Sequence, residues 1–252
     1  MEIGSWKFQG NDYIIIIMKE LDIKNLNEDY YANLFEFYLK YKAYDELPEF
    51  NNILREIPCK QGIADFICYN DTPFLKKHSE QIFKLNQKIG KIFIPILSAL
   101  LIREKQSLEL LVNNTGYDKK RLKKVLSLLK SEKIVKETLK KEYSLYASWK
   151  NFDVKLWAFE LKLKNWKRAL YQATQYQAFT DQVYTVFPMQ QKELLLKKIN
   201  YFKSLKVGCI VQDCNDKKIE ILYQPASQNK TLCNTPYLYT LTEVITKELL
   251  SA

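Results

Sequence analysis

The N-terminal part of the chain changes from a helical to a strand-like hydrophobic pattern. Residues 28–46 carry apolar side chains at intervals of three and four, which predicts an amphipathic helix; these side chains are Tyr31, Leu34, Phe35, Tyr38 and Leu39. Ile53–Pro58 and Ile63–Tyr69 are short apolar runs, separated by the turn-forming pair Gln61-Gly62. They predict two strands of one hairpin.

The middle of the chain predicts short helices followed by a second hairpin. Residues 92–103 are apolar enough for a buried helix. Asp118 is a suitable N-cap for a helix at 119–130, in which apolar residues form one stripe and basic residues cover the other side. Residues 134–138 and 142–146 then predict two short strands.

The C-terminal part predicts strands that alternate with helices, an order typical of an α/β fold. The expected strands are 154–159, 183–187, 208–212 and 219–223, and the expected helices are 166–180, 191–204 and a short one at 241–250. Charged residues come directly after the apolar strand 154–159, at positions where further apolar residues would be expected.

Glu160 and Lys162 are the charged residues in question. Side chains at positions i and i+2 of a strand share one face, roughly 6.6 Å apart, so these two lie side by side while Trp157, Phe159, Leu161 and Leu163 anchor the other face. Buried charge is costly without a partner, and a bound metal ion would be one such partner. Asp65 interrupts the apolar run 63–69 and is the best second carboxylate; a salt-bridged or capping aspartate is the alternative.

The composition argues against several classes of protein. The chain has 252 residues, enough for one large domain or two small ones, and 47% of them are hydrophobic. Only six glycines argue against an all-β fold, and five cysteines without paired spacing argue against a disulfide framework or zinc ribbon. The single histidine, His78, cannot form a multi-histidine metal site. The sequence contains neither a Gly-x-Ser-x-Gly elbow nor a glycine-rich phosphate loop.

The net charge of +10 is concentrated in one segment. Residues 75–145 carry 17 Lys and Arg against 7 Asp and Glu, which accounts for the whole excess. Such a positive field favours an anionic polymer or a membrane surface as partner. No apolar stretch seen in the sequence approaches the roughly 18–20 residues that span a bilayer. We therefore expect a cytoplasmic protein whose partner is an anionic polymer and not a membrane, with a homodimer left open.

Three motifs together resemble the PD-(D/E)xK nuclease superfamily. They are Gly62-Ile63-Ala64-Asp65, Phe159-Glu160-Leu161-Lys162 and Gln172-Ala173-Thr174-Gln175-Tyr176, the last similar to the Gln-x-x-x-Tyr helix of the RecB-like branch. The resemblance covers residues 50–70 and 150–225. It implies an α/β fold in which a restriction-endonuclease-like mixed sheet is flanked by helices.

The resemblance also implies a metal site. Asp65, Glu160 and the carbonyl oxygen of Leu161 would bind Mg²⁺, for which Mn²⁺ can substitute, and Lys162 would assist the attacking water. A further acidic residue would come from the first helix or hairpin, with Glu36 preferred and Glu28 and Glu56 as alternatives. Glu36 would otherwise be an ordinary solvated helix charge, and Glu56 would otherwise pair with Arg55 or Lys60.

Gln172 and Tyr176 lie one helical turn apart, and the resemblance implies that they help to position DNA beside the site. Tyr176 would equally fit an ordinary core stripe with Trp166, Ala169 and Ala173. The sequence leaves both interpretations open.

The basic segment 91–146 resembles a winged helix-turn-helix. The resemblance implies that one helix and one hairpin dock on duplex DNA, through Tyr117, Lys119, Lys120, Arg121, Lys123, Lys124, Lys140 and Lys141; a solvated charged face is the alternative. Because Asp65 and Glu160 are 95 residues apart, we expect an insertion between two core strands. The predicted domains are 1–74 (first part of the core), 75–146 (inserted winged helix) and 147–252 (second part of the core with a C-terminal extension).

These expectations favour a magnesium-dependent DNA endonuclease that hydrolyses phosphodiester bonds, with restriction or defence among its settings. The main alternative is a DNA-binding regulator or accessory subunit built on an inactive nuclease core. A protein that binds membranes through its basic segment is a third hypothesis. Metal-dependent cleavage, salt-dependent binding without cleavage, and vesicle binding would distinguish the three.

Overall fold

The structure, a computed structural model, describes residues 27–41, 47–60, 62–213, 218–226 and 234–251. Its α-helices are α1 (Glu28–Lys40), α2 (Pro73–Ile89), α3 (Ile94–Ile102), α4 (Leu108–Thr115), α5 (Lys119–Ser131), α6 (Trp166–Tyr176), α7 (Lys192–Leu205) and α8 (Thr235–Ser251). Its strands are β1 (Asn52–Cys59), β2 (Gly62–Tyr69), β3 (Gln106–Ser107), β4 (Val135–Glu137), β5 (Glu142–Leu145), β6 (Trp157–Leu161), β7 (Gln182–Pro188), β8 (Gly208–Asp213) and β9 (Lys218–Tyr223). The predicted helical residues 42–46 and the predicted turn residue Gln61 lie outside the described residues.

Six strands form one mixed sheet in the order β1-β2-β6-β7-β8-β9. Strands β6, β7 and β8 are parallel and are connected by α6 and α7, whereas the remaining neighbours are antiparallel. One hydrophobic cluster lies between the sheet and α1, and a second lies between the sheet and α6, α7 and α8. The α/β class with a mixed sheet flanked by helices, predicted from the sequence, is confirmed.

The pairing of β2 with β6 brings two distant parts of the chain together. Phe66 lies opposite Phe159 and Ile67 opposite Ala158, in antiparallel register. Asp65 and Glu160 therefore meet in space although 95 residues separate them along the chain. The residues between these two strands leave the sheet and return to it.

Short polar side chains fix where several helices begin. The side chain accepts a hydrogen bond from a first-turn N–H at Asn27 before α1, Thr72 before α2, Ser107 before α4, Asp118 before α5 and Asn165 before α6. Each satisfies one of the N–H groups that a helix start leaves without an internal partner. Asn165 allows α6 to start directly after the charged end of β6, so α6 packs back over the site.

Residues 94–145 form a unit of three helices and a small antiparallel sheet of strand order β3-β5-β4. Its core contains Leu111, Leu122, Leu126 and Leu129, all buried, while the basic side chains of α5 point outward. Strand β3 was not predicted, because a two-residue strand is too short to show alternation. Helix α2 was not predicted either, because many polar residues interrupt its apolar positions.

Helix α8 joins this unit to the large sheet. It packs against β1, α2 and α3, and the Tyr69 hydroxyl donates to the Glu248 carboxylate at 2.5 Å. One hydrophobic cluster consequently runs through both parts of the protein. The predicted short helix at 241–250 was too short, because α8 already begins at Thr235 with Pro236 in its first turn, where a missing N–H costs nothing.

The helical run Pro73–Ile102 contains a window that is long and apolar enough to cross a membrane by length and composition alone. Such a window was not expected from the sequence. Within the protein 44% of that window is buried, and core helices meet the same criterion, so it is weak evidence for a membrane span.

Candidate functional site

The site lies where β2 and the end of β6 meet. Asp65 belongs to β2, Glu160 to β6, and Lys162 follows β6 directly. Glu160 is fully buried, with 0% of its surface exposed. Phe159 and Leu161 point to the other face and pack against α1, with Trp157 and Leu163 beside them, so the anchoring face predicted from the sequence is confirmed.

The Lys162 ammonium lies among three oxygen atoms. Its Nζ is 2.9 Å from Glu160 Oε1, 2.9 Å from the Leu161 carbonyl oxygen and 4.0 Å from Asp65 Oδ2. The approach to Glu160 has the distance of a hydrogen bond but not its angle, since Oε1 has no hydrogen-bond partner. The three oxygens therefore face one cationic atom that only partly satisfies them.

The Asp65 carboxylate is held by the neighbouring strand. Its Oδ2 accepts a hydrogen bond from the Leu161 N–H at 2.8 Å. Glu56 lies across from Asp65 on β1, where the pairing of β1 with β2 is interrupted between Arg55 and Ile57. Its backbone is left-handed, with a φ of 51°. This conformation is uncommon for a residue with a side chain, and the distortion coincides with the site.

Tyr176 connects α6 to the site. Its hydroxyl lies 2.7 Å from Glu160 Oε2 and 2.7 Å from the Ile63 carbonyl oxygen, so its one proton can be donated to either. Tyr176 is also buried in a stripe with Ala169 and Ala173; the core and site interpretations are thus compatible. One turn earlier, the amide oxygen of Gln172 is buried and has no hydrogen-bond partner among the described residues.

Burial raises the pKa values of both carboxyl groups, and the charge of Asp65 adds to this effect at Glu160. Burial raises the pKa of Asp65, although the Leu161 N–H and Lys162 act in the other direction. Burial and then the charge of Asp65 raise the pKa of Glu160. Burial disfavours the Lys162 ammonium, but its contacts with Glu160 outweigh burial and raise the pKa of Lys162. The pKa of Tyr176 is raised by burial and by Glu160, so its hydroxyl stays protonated as a donor.

A cavity of about 90 Å³ opens beside Asp65 and Lys162. Its lining is mostly charged and comes from α1 and the two hairpin strands as well as from the site: Glu28, Asp29, Ala32, Arg55, Glu56, Asp65, Phe66, Leu161 and Lys162. Asp29 and Arg55 are not predicted from the sequence, since an exposed charge in a helix or hairpin carries no local signal. Glu160 is not part of the cavity lining.

The preferred additional acid, Glu36, is not part of the cavity wall. Its carboxylate pairs with Lys40 at 2.6 Å and with Arg55 at 3.6 Å. Glu28, the alternative, lines the cavity, and its negative charge helps to raise the pKa values of both Asp65 and Lys162. The two residues differ in position because Glu36 lies two turns beyond Glu28, where it pairs with Arg55.

The donor atoms fit a hard divalent cation. Within the described parts of the chain, no group of three or more His, Cys, Asp and Glu residues is placed to hold a metal ion. Two carboxylates and a backbone carbonyl are nevertheless the oxygen ligands that Mg²⁺ takes, with water completing its shell. His78 does not contribute, because it is buried against Phe74 and Trp149.

The predicted DNA-contacting residues lie on the exposed side of the 94–145 unit. Lys119 pairs with Glu109 at 3.2 Å, and the Arg121 guanidinium lies 5.1 Å from the centre of the Tyr117 ring. The others are exposed and form no ion pair with a described residue: Lys120, Lys123, Lys124, Lys140 and Lys141. Unpaired exposed cations leave their charge available to an anionic partner.

Comparison of the chain with protein-family models, with curated proteins and with solved structures gave no match. A function for this chain therefore has to be argued from the geometry of its own residues.

Proposed function

We propose that the chain is a metal-dependent DNA endonuclease with a restriction-endonuclease-like core and an active site formed by Asp65, Glu160 and Lys162. The observation that carries the proposal is the convergence of Asp65, Glu160 and the Leu161 carbonyl on one ammonium group. Oxygens arranged around a single positive charge, two of them from carboxylates with raised pKa values, are suited to a divalent cation. Bound Mg²⁺ would supply Lewis-acid chemistry, polarising a phosphate and increasing the acidity of water.

The protein's own groups have distinct tasks in this proposal. Tyr176 and the Leu161 N–H hold the two carboxylates in place, each through one hydrogen bond. Lys162, released from the carbonyl of Leu161, orients the attacking water or stabilises negative charge in the transition state. Arg55, on the cavity wall, offers a second cation to the phosphate backbone.

The 94–145 unit is proposed to be an inserted winged helix that docks the core on duplex DNA. Its order of helix, strand, two helices and hairpin supports this, as does Asp118 capping a helix that exposes five basic residues in its first six positions. A recognition helix and a hairpin that contact phosphates would position the core without specifying sequence.

Cleavage of plasmid DNA with Mg²⁺ tests the proposal. Lys162→Ala, Asp65→Ala and Glu160→Gln are each expected to lower the rate by roughly a hundredfold or more, since each removes a transition-state interaction. The exposed Lys164 and Asp153 provide matched controls, and Lys164→Ala and Asp153→Ala should cleave as the wild type does. Equal cleavage by the wild type and the three site variants would reject the site.

Metal binding provides a measurement that does not depend on turnover. Because Lys162 competes for the same oxygens, Lys162→Ala should bind Mn²⁺ more tightly than the wild type, in spite of its loss of cleavage. Calorimetric titration measures this, with Lys164→Ala as the control. Weaker Mn²⁺ binding by Lys162→Ala would contradict the idea that the ammonium lies where the cation binds.

One observation favours the alternative of a DNA-binding protein without catalysis. Lys162 already compensates part of the charge of Glu160 and Asp65 without any metal ion. In that case the wild type would bind DNA in a salt-dependent manner, take up no Mn²⁺ and cleave nothing.

A further inference from the structure

The hairpin between β4 and β5 has an unusual tip. Lys141 N–H donates to the Thr138 carbonyl at 2.9 Å, and Thr138 N–H donates to the Glu142 carbonyl at 2.8 Å. Lys141 has a φ of 58°, in the left-handed region. This arrangement matches a tight turn closed by one left-handed residue, one of the common three-residue hairpin loops. We call residues Thr138–Lys141 the hairpin tip.

Two residues of the hairpin tip contradict ordinary turn chemistry. The left-handed position is normally glycine or asparagine, because a Cβ is disfavoured there, yet it is Lys141. The central turn positions favour proline, aspartate, asparagine and serine, yet one is Leu139, whose exposure of 105% makes it the most exposed of the large hydrophobic residues described. Departures from local rules that coincide at one place are expected at functional sites.

The charges around the hairpin tip suit a nucleic-acid partner. Lys140 and Lys141 are exposed and form no ion pair with a described residue, and Lys136 is exposed on the adjoining strand. An apolar side chain between cations is the combination used by proteins that press a wedge into the minor groove while lysines hold the flanking phosphates.

We propose that Leu139 is an apolar wedge that enters the minor groove of duplex DNA and partly unstacks a base step, with Lys140 and Lys141 fixed on the phosphates at either side. This inference rests on the proposed DNA-directed function and adds how the duplex is engaged. It does not depend on the metal site.

Unstacking can be measured in EDTA, where no cleavage occurs. Duplexes of mixed sequence carrying 2-aminopurine at successive positions should increase in fluorescence when the wild-type protein binds. Leu139→Ser should abolish the increase and weaken binding by roughly fivefold to tenfold, with the salt dependence unchanged because no cation is lost. Leu196→Ser, at an exposed leucine of α7, should behave as the wild type.

Lys141→Gly separates binding from folding. Glycine relieves the left-handed backbone, so thermal unfolding should shift to a higher temperature. DNA affinity should fall, and the dependence of affinity on salt concentration should weaken by the amount expected for about one lost phosphate contact. Lys206→Gly is the matched control, since Lys206 is also exposed with a φ of 55°; it should gain stability without losing affinity.

The outcomes distinguish this inference from the proposed function. Unstacking without Mg²⁺-dependent cleavage would support the wedge and reject the nuclease. Cleavage with equal fluorescence for the wild type and Leu139→Ser would reject the wedge alone. Loss of binding to anionic vesicles by Leu139→Ser, with DNA binding unaffected, would replace DNA by a membrane surface and overturn the inference.

Discussion

Lys162 and Lys141 are the same residue type in opposite surroundings. The Lys162 side chain is 13% exposed and lies among three oxygen atoms, whereas Lys141 is exposed and unpaired among described residues. Charges interact strongly where water is excluded and are screened where it is not. Burial, and not residue type, therefore decides how strongly the charge of a lysine interacts with its surroundings.

The comparison extends to the regions around them. At the buried site each group depends on its neighbours, so one substitution should have a large effect that salt barely changes. On the basic surface of the 94–145 unit each cation acts almost independently. Effects there should be small per residue, additive over several residues and strongly dependent on salt.

Removal of three unpaired lysines from α5 should give the largest effect on binding. The triple variant Lys120→Ala, Lys123→Ala and Lys124→Ala is expected to bind duplex DNA roughly a hundredfold more weakly at physiological ionic strength, with the salt slope reduced by about three contacts. Mn²⁺ affinity should not change. Fluorescence anisotropy across a salt series checks this, and an unchanged slope would mean that α5 does not face DNA.

Tyr176→Phe tests the buried region with a smaller change. The variant removes the one hydroxyl proton that is available to Glu160 Oε2 and the Ile63 carbonyl, which should lower the free energy of unfolding by about 1–3 kcal/mol. Chemical denaturation measures the loss. Tyr171→Phe is the control on the same helix, because Tyr171 is 67% exposed. Equal stabilities of the two variants would show that the hydrogen bond of the Tyr176 hydroxyl does not stabilise the folded protein.

The two regions also differ in how far sequence alone could describe them. Asp65, Glu160 and Lys162 were identifiable because charge inside an apolar strand violates the strand's own pattern. The pairing of β2 with β6 could only be expected, since register between strands 95 residues apart is set by packing and not by local pattern.

The residues that complete the cavity were harder to identify. Arg55 and Asp29 carry the same signal as any exposed charge, and Glu36 was preferred over Glu28 although only the fold decides which turn of α1 faces β2. Tyr176 could be recognised as a core residue, but its contact with Glu160 depends on how α6 folds back over β6. Long-range placement is thus the part that local patterns do not encode.

The hairpin tip shows the opposite case. Leu139 and Lys141 are visible in the sequence, yet nothing there marks them as unusual. Only the turn geometry, with its left-handed position, shows that a lysine stands where glycine is expected. Hydrophobic periodicity reports burial, so it says little about residues that are exposed.

Asp65→Asn offers the smallest and most selective test of the contrast. Because burial raises the pKa of Asp65 in the folded state, the folded protein keeps this proton at a pH where the unfolded chain, with a pKa near 3.9, has lost it. The wild type should therefore lose stability as pH rises through that window. Asparagine has no proton to lose, so the variant should equal the wild type in acid and exceed it above the raised pKa.

The Asp65 side chain is one-third exposed (33%), so solvent screening should limit the gain to less than about 1 kcal/mol. Added Mn²⁺ should reverse the order, because the wild type gains stability from a bound ion while the variant loses a ligand. Denaturation at several pH values, with and without Mn²⁺, measures both effects. If the stability difference between the two proteins did not change with pH or with Mn²⁺, Asp65 would have a structural role only, and the proposed metal site would be rejected.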